Sequence, residues 1–429
     1  MRVLRPEDKG YKKAIAALSR RAVADPKVRA VVSKILAAVE AKGDAALIRY
    51  TKKFGGPALL ASQIPVSPAE TARAIAELPA DARRAISAAR TNVRNFARRS
   101  LRKSWFMKNR QGAVVGERYD PFRRVGIYIP GGTAPLVSSA IMTCTLAAAA
   151  GVPEIVATTP AGKNGCVHPA LLAALAECGA TEIYRIGGAQ AVAALACGTK
   201  SIRPVQKIFG PGNAYVVEAK RQVFGRVAVD LLPGPSEVLV IADSTAQPDW
   251  IAADLLAQSE HGHGSQAILV TDSQKILSAV EKALARQIKL SERPKELASA
   301  LGNATLILVP DMSSAIHLAN AYAPEHVSIA TARPGDIARH LTSSGGIFLG
   351  GLSPVAGGDF LAGPSHELPT GGAGKSFAGL TVDQFQRRTS VVMFDEPSLR
   401  ASLPFLETFS RIEGLDAHGR SARIRIEKK

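Results

Sequence analysis

RVGIYIPGG (124–132), EIVATTP (154–160), EIYRIGG (182–188), VQKIFGPGN (205–213) and SEVLVIAD (236–243) are short apolar runs, the first four ending in Gly or Pro turns. A helical stretch follows each of the first four: SSAIMTCTLAAAAG (138–151), HPALLAALAECG (168–179), AQAVAALACG (189–198) and AYVVEAKRQVFG (214–225). Strand, turn and helix thus recur roughly every 30 residues, and continuous apolar strands alternating with helices specify a parallel sheet covered on both faces. In such sheets ligands bind where the loops gather at the carboxyl ends of the strands. PGG (130–132), GGAQ (187–190) and GPGN (210–213) are those loops here.

A second α/β stretch extends the pattern, with strands QAILVTD (266–272), TLILVPD (305–311), VSIAT (327–331) and GGIFLG (345–350) between helices. Residues 1–110 read as helical; Gly43 closes one helix, and Ser67 with Glu70 forms a capping box at the start of another. From 350 a Gly/Pro-rich stretch of roughly 30 residues lacks periodicity, which marks a functional loop. The last 45 or so residues read as helical again.

The 429 residues carry 54 Lys+Arg against 36 Asp+Glu, a formal charge of +18, with 46% hydrophobic residues. That much apolar material excludes a disordered chain. No run reaches the ~18 apolar residues of a membrane span, and the charged start lacks the apolar core of a signal peptide, so a cytoplasmic protein is expected. Cys144, Cys166, Cys178 and Cys197 show no CxxC spacing and read as small buried hydrophobes. Basic residues cluster between 80 and 110 with Phe96, Trp105 and Phe106 among them. No nucleic-acid module accompanies them; a solvated helix face or a basic mouth for anionic ligands explains them as well. No nucleic-acid partner is expected.

GxGxxG and GxxxxGK[ST] are both absent, so the glycine turns suggest a ligand without the usual dinucleotide or P-loop fingerprint. Gln258 and His261, three apart at a helix end, share a face and suit two ligands of one metal. Asp359 and His366 lie in the irregular loop, and a His/Asp/Gln set suits zinc. Glu325-His326, after a helix-stopping Pro324, offers two proton-transfer groups, although the same residues could form an exposed turn. His168, His263, His317 and His340 read as ordinary surface or core histidines.

Eight segments in order, VGIYIPGGTAP (125–135), YRIGGAQAVAALACGT (184–199), KIFGPGNAYVVEAKR (207–221), GPSEVLVIAD (234–243), DLLAQSEHG (254–262), NAYAPEHVSIA (320–330), GGDFLAGPSHELPTGG (357–372) and EGLDAHGRSARIR (413–425), resemble the histidinol dehydrogenases, zinc- and NAD-dependent enzymes of histidine biosynthesis. The resemblance implies two incomplete Rossmann-like domains with parallel sheets and small helical terminal segments swapped across a homodimer. It implies a first domain of 27–127 plus 237–381, an NAD-binding domain of 128–236, an N-terminal helical segment 1–26 and a helical tail 382–429. Carried over residue by residue, it implies one zinc per subunit on Gln258, His261, Asp359 and His418, the last from the partner's tail. Glu325 and His326 become the acid/base pair, and Tyr128, Gln190 and Asn213 the NAD contacts. Ser236, His366 and Glu413 join Gln258, His261, His326, Asp359 and His418 around L-histidinol. The implied reaction is oxidation of L-histidinol to L-histidine through the aldehyde in two hydride transfers. Ser328, Ser365, Phe360 and Pro233 depart from the family pattern, as does AGKSF (373–377), leaving room for a paralogue acting on another amino or sulfonated alcohol.

Overall fold

The structure, a computed structural model, describes residues 1–18, 25–131, 135–262, 264–292 and 294–427. Gly132 of the first glycine turn and His263 lie outside the described residues, as does 19–24 of the N-terminal segment. Among the described residues the strands form three sheets. The first has six parallel strands in the order Arg2–Leu4, Thr305–Leu308, Gln266–Thr271, Glu237–Ala242, His326–Ala330, Gly346–Leu349. The second has five parallel strands in the order Glu182–Tyr184, Glu154–Thr158, Arg124–Tyr128, Lys207–Phe209, Ala228–Val229. The expected α/β class with parallel sheets is therefore what the chain adopts. Central strands of both sheets are buried throughout, as their unbroken apolar runs require.

Three features differ from the sequence reading. Residues 1–26 are not simply helical: Arg2–Leu4 pairs with Thr305–Leu308 and edges the six-stranded sheet. The tail from 382 is not wholly helical either. Gln386–Met393 is a strand, antiparallel to Val114–Pro121, which also pairs with Trp105–Lys108. Finally, the helices between 26 and 100 give their apolar faces to the five-stranded sheet rather than to the six-stranded one, although Asn92 Nδ2 also donates to the Leu361 carbonyl at 2.9 Å. Val32, Ile35, Val39 and Leu47 share a core with Ile186, Val192 and Leu195, while Ile86, Val93 and Ala97 share one with Ile127, Ile155 and Leu175. Their apolar faces are thus satisfied by the five-stranded sheet, whose strand Arg124–Tyr128 begins before the expected boundary at 128.

Local signals held where they were read. Ser67 Oγ accepts the Glu70 N–H at 3.2 Å while the Ser67 N–H donates to Glu70 Oε2 at 3.0 Å. Gly43 ends the helix Pro26–Lys42 at φ 50°. Cys144 and Cys178 are buried, but Cys166 is exposed and Cys197 half-buried, so the buried-hydrophobe reading fits two of the four.

At the amino ends of the five-stranded sheet, buried Arg124 donates to Glu154 at 2.7 Å and to Glu182 at 2.6 and 2.7 Å. The Arg124 guanidinium holds Glu182 down to about 2. Its contribution is complete above the ordinary carboxylate value and is lost as pH falls towards 2. Arg124→Met therefore lowers the urea midpoint at pH 7, and lowers it less at pH 3; an equal loss at both values would contradict this account.

Candidate active site

The functional side chains collect on two facing edges. On the five-stranded sheet the carboxyl-end rule holds. Tyr128 ends its strand, and its hydroxyl accepts the Gly188 N–H at 3.2 Å. Gln190 lies in the first turn of the helix Gly188–Cys197, buried, with Oε1 unbonded among the described residues. Asn213 caps the helix Ala214–Val223, its Oδ1 accepting from Tyr215 N at 3.0 Å and Val216 N at 3.2 Å. Gly210, at φ 107°, lies so close to the Tyr128 carbonyl that any Cβ would overlap it. A fully buried ion pair grips this glycine: Lys220 Nζ donates to its carbonyl at 2.8 Å, and Asp230 Oδ2 accepts its N–H at 2.7 Å.

On the six-stranded sheet the rule fails. Glu325 and His326 precede and open the strand His326–Ala330, and Ser236 precedes Glu237–Ala242, so this half of the site lies at amino ends. Neither residue of the Glu325-His326 pair forms an exposed turn: Glu325 is 7% and His326 3% exposed. Ser236 Oγ donates to Glu325 Oε2 at 2.5 Å and the Glu237 N–H donates to the same oxygen at 2.8 Å. His326 Nδ1 lies 3.2 Å from the Glu237 carbonyl and 3.5 Å from Glu325 Oε2. With Nδ1–H donated there, Nε2 keeps its lone pair; it is buried, makes no hydrogen bond among the described residues and lies 3.5 Å from Asp359 Oδ1.

Burial pushes the Glu325 carboxyl up. Burial also opposes the His326 imidazolium, but Glu325 and Asp359 outweigh it and hold its pKa above the ordinary value. Two coupled groups so placed titrate as a pair.

Asp359 comes from the short helix Val355–Phe360 inside the irregular loop. Burial raises its carboxyl, yet His326, His366 and His261 together bring it below the ordinary value. His366 Nδ1 lies 2.7 Å from the Asp359 carbonyl, and its Nε2 lies 3.4 Å from Ser139 Oγ and 3.5 Å from Glu367 Oε1. Against burial, Glu367 and Asp359 carry His366 up to about 9. His261 lies two residues beyond the helix Pro248–Ser259 rather than within it. Burial depresses its pKa, and the charges it senses are those of Asp359, His326 and His366.

Ser236, His261, Glu325, His326, Asp359 and His366 are thus brought together, with buried Gln258 one turn before His261. Glu413 and His418 are not: both are exposed, and among the described residues no hydrogen bond or ion pair joins them to the cluster. Sequence reasoning missed Glu237, Glu367 and Ser139. Glu237 is pushed up to about 7 by burial, tempered by the Gly371 N–H on its Oε1.

The family profile of histidinol dehydrogenase matches residues 18–426. The chain belongs to the histidinol dehydrogenase family. Histidinol dehydrogenases of Geobacillus kaustophilus and Rhizobium meliloti are 44% and 46% identical, each over 93% of this chain and over 94% and 92% of their own. The crystal structure of histidinol dehydrogenase from Elizabethkingia anophelis superposes with a TM-score of 0.93 at 33% identity, covering 99% of this chain and 98% of that one. As a histidinol dehydrogenase family member the chain is an oxidoreductase, and the two facing edges are where its chemistry must be sought.

The family's metal has to be tested against the residues themselves. Among the described residues no three His, Cys, Asp or Glu side chains cage a metal. The set in question includes an amide, however, and Gln258 Nε2 is buried and unbonded among the described residues. Since the two amide atoms are interchangeable on exchange of their positions, Gln258 can turn an oxygen to the ligand side. Gln258 is buried, Asp359 half-buried and His261 exposed, and as N/O donors they fit zinc with a position left for a further ligand.

Proposed function

We propose that the chain oxidises L-histidinol to L-histidine, with NAD as the hydride acceptor and one zinc per subunit, as the last steps of histidine biosynthesis in the cytoplasm. The observation that carries this reading is His326 Nε2, buried, without a hydrogen bond among the described residues and 3.5 Å from Asp359 Oδ1, with Glu325 held by Ser236. Gln258, His261 and Asp359 would hold zinc, with His418 of a second copy. Bound there, zinc would supply a fixed point for the imidazole and amine of histidinol, and NAD would supply the hydride acceptor.

The chain's own residues do the proton work. His326 Nε2 takes the hydroxyl proton as the alcohol loses hydride to become the aldehyde. Glu325 keeps one oxygen fixed by Ser236 and the Glu237 N–H, and uses the other to draw a proton from the water that adds to the aldehyde, while His326 returns its proton to the aldehyde oxygen and is a base again. His326 then takes a proton from that hydrate as the second hydride leaves, giving the carboxylic acid, which ionises to the carboxylate by giving its proton to water. His366, held protonated by Glu367, would bring positive charge to the substrate beside Asp359. A site this buried keeps the aldehyde from side reactions with bulk water. Phe360, one departure from the family, is 62% exposed, and Ser365 Oγ merely accepts the Glu367 N–H. Neither replaces a proton carrier, which supports histidinol over a sulfonated alcohol.

A homodimer is part of this reading. Trp105, Phe106, Val392, Met393, Phe405, Phe409 and Ile412 are all exposed on the antiparallel sheet and tail. Exposed large apolar side chains concentrated in one region support an interface there. The basic residues of 80–110 ride on the solvent side of the helix Ala80–Ser100 and on Trp105–Lys108. Among the described residues no helix is long and apolar enough to cross a membrane.

The test is NADH formed per L-histidinol consumed, by zinc-loaded and chelator-stripped protein side by side. Two NADH per substrate, lost on stripping and restored by zinc, is the expected result. No NADH from folded, zinc-loaded protein would defeat the assignment. The ion pair under Gly210 gives a second prediction. Lys220→Met strands Asp230 without its partner and costs about 3–5 kcal/mol. Lys220→Met with Asp230→Leu recovers most of that stability, yet leaves KM for NAD raised about tenfold because Gly210 is no longer gripped. Unchanged KM in the double variant would limit the pair to a structural role.

A further inference from the structure

The six-stranded sheet has its own topological switch point. From Glu237–Ala242 the chain runs out to Gln266–Thr271 and Thr305–Leu308 on one side, then returns to lay His326–Ala330 on the other. Open parallel sheets bind ligands at the carboxyl ends of the two strands flanking such a point. The histidinol cluster uses the amino ends, so the carboxyl-end crevice between Ala242 and Ala330 is left over.

That crevice contains a cavity of about 180 Å³ lined by Thr245, Trp250, Asp254, Ser328, Thr331 and Gly351. Asp243 ties its two loops together, accepting the Thr245 and Ala332 N–H groups at 2.9 Å each. Its chemistry is one-sided. The Asp254 carboxyl is pushed up to about 6 by burial alone, with no cation among the described residues acting on it. Arg286, on the helix Gln274–Leu290 that packs beside, is engaged by Asp249 instead. Thr331 Oγ1 is buried and bonded to nothing among the described residues. Trp250 is 49% exposed and lies against Gly351, where a Cβ would come within 2.9 Å of Cε3 and Cζ3.

A desolvated carboxylate without a partner is costly, and a cation removes the cost. An indole face beside it adds a cation–π contact, and two hydroxyls can accept N–H bonds. Asp243 and Asp254 would repel an anion, and the volume admits only a few heavy atoms. We infer that the carboxyl-end crevice of the six-stranded sheet is a second ligand site, taking a small ammonium-bearing molecule whose cation meets Asp254 and whose carbon chain lies on Trp250. Ser328 belongs to this crevice, and its small side chain leaves the space open.

The chain has two tryptophans, so Trp105→Phe leaves Trp250 as the reporting indole. Its fluorescence is titrated with n-butylammonium chloride, against sodium chloride and neutral n-butanol as controls. A saturable change with the ammonium ion in the millimolar range and none with n-butanol is expected. Asp254→Asn should weaken it at least tenfold, and Gly351→Ala, which displaces the indole, should do the same by an independent route. The midpoint should not move in His326→Asn protein. No saturable signal, equal response to n-butanol, or undiminished binding by folded Asp254→Asn protein overturns the inference. A midpoint that shifts with His326→Asn overturns it too, because the amine would then be in the catalytic cluster; none of these outcomes touches the NADH assay.

Discussion

His326→Asn protein should turn over L-histidinol about a thousandfold more slowly than wild type, with zinc content unchanged. The argument starts from the ring's two nitrogens. Nδ1 is used up by the Glu237 carbonyl at 3.2 Å, and only Nε2, unbonded and facing Asp359, is available as a base. Asparagine can keep a bond to that carbonyl through its amide nitrogen, but it offers no basic atom in place of Nε2. The rate should therefore fall in both oxidations, since each needs a proton removed from oxygen while hydride leaves. His326 is not among the proposed metal ligands, so metal analysis separates its role from theirs. Loss of zinc along with the rate would make it a ligand or a support of one; a near-normal rate would remove it from proton transfer altogether.

How far the sequence could be read depended on how local each signal was. Ser67-Pro-Ala-Glu70 is complete within four residues, and the structure has that cap. Asn213 and the glycines around it likewise announce a strand-to-helix turn, and Asn213 caps the helix that follows. By contrast, Arg2–Leu4 is three residues long and finds its partner in Thr305–Leu308, a separation no periodicity reports. Val114–Pro121 and Gln386–Met393 pair across a comparable gap, and the mixed polar pattern of Gln386–Met393 let it read as part of a helical tail. Which end of a sheet a motif occupies is also long-range information. Pro324-Glu325-His326 was legible as chemistry, but its place at an amino end follows from Ala323, at φ 55°, turning the chain directly into the strand. Glu237 did leave a trace, as a charged residue opening the otherwise apolar EVLVIA. Ser139, in a helix of Ala, Ser and Thr, left none.

Mixing two inactive proteins should restore activity if the tail completes the neighbour's site. His418→Asn and Gln258→Asn each remove one proposed zinc ligand, so each alone should retain little metal and little rate. Within one subunit, His418 is exposed and unconnected to the cluster among the described residues, and the helix Glu396–Glu413 before it shows Phe409 and Ile412 to solvent at 62% and 72% exposure. Burying that face against a second copy would carry His418 and Glu413 away from their own cluster and towards the other. In a heterodimer of the two variants, one site then receives both defects, while the other pairs an intact Gln258 with an intact His418. Random exchange makes about half the dimers heterodimers, so about one quarter of wild-type activity, and of bound zinc, should return. If instead each tail folded back onto its own subunit, every site in every dimer would keep one defect, and exchange of the subunits would restore nothing.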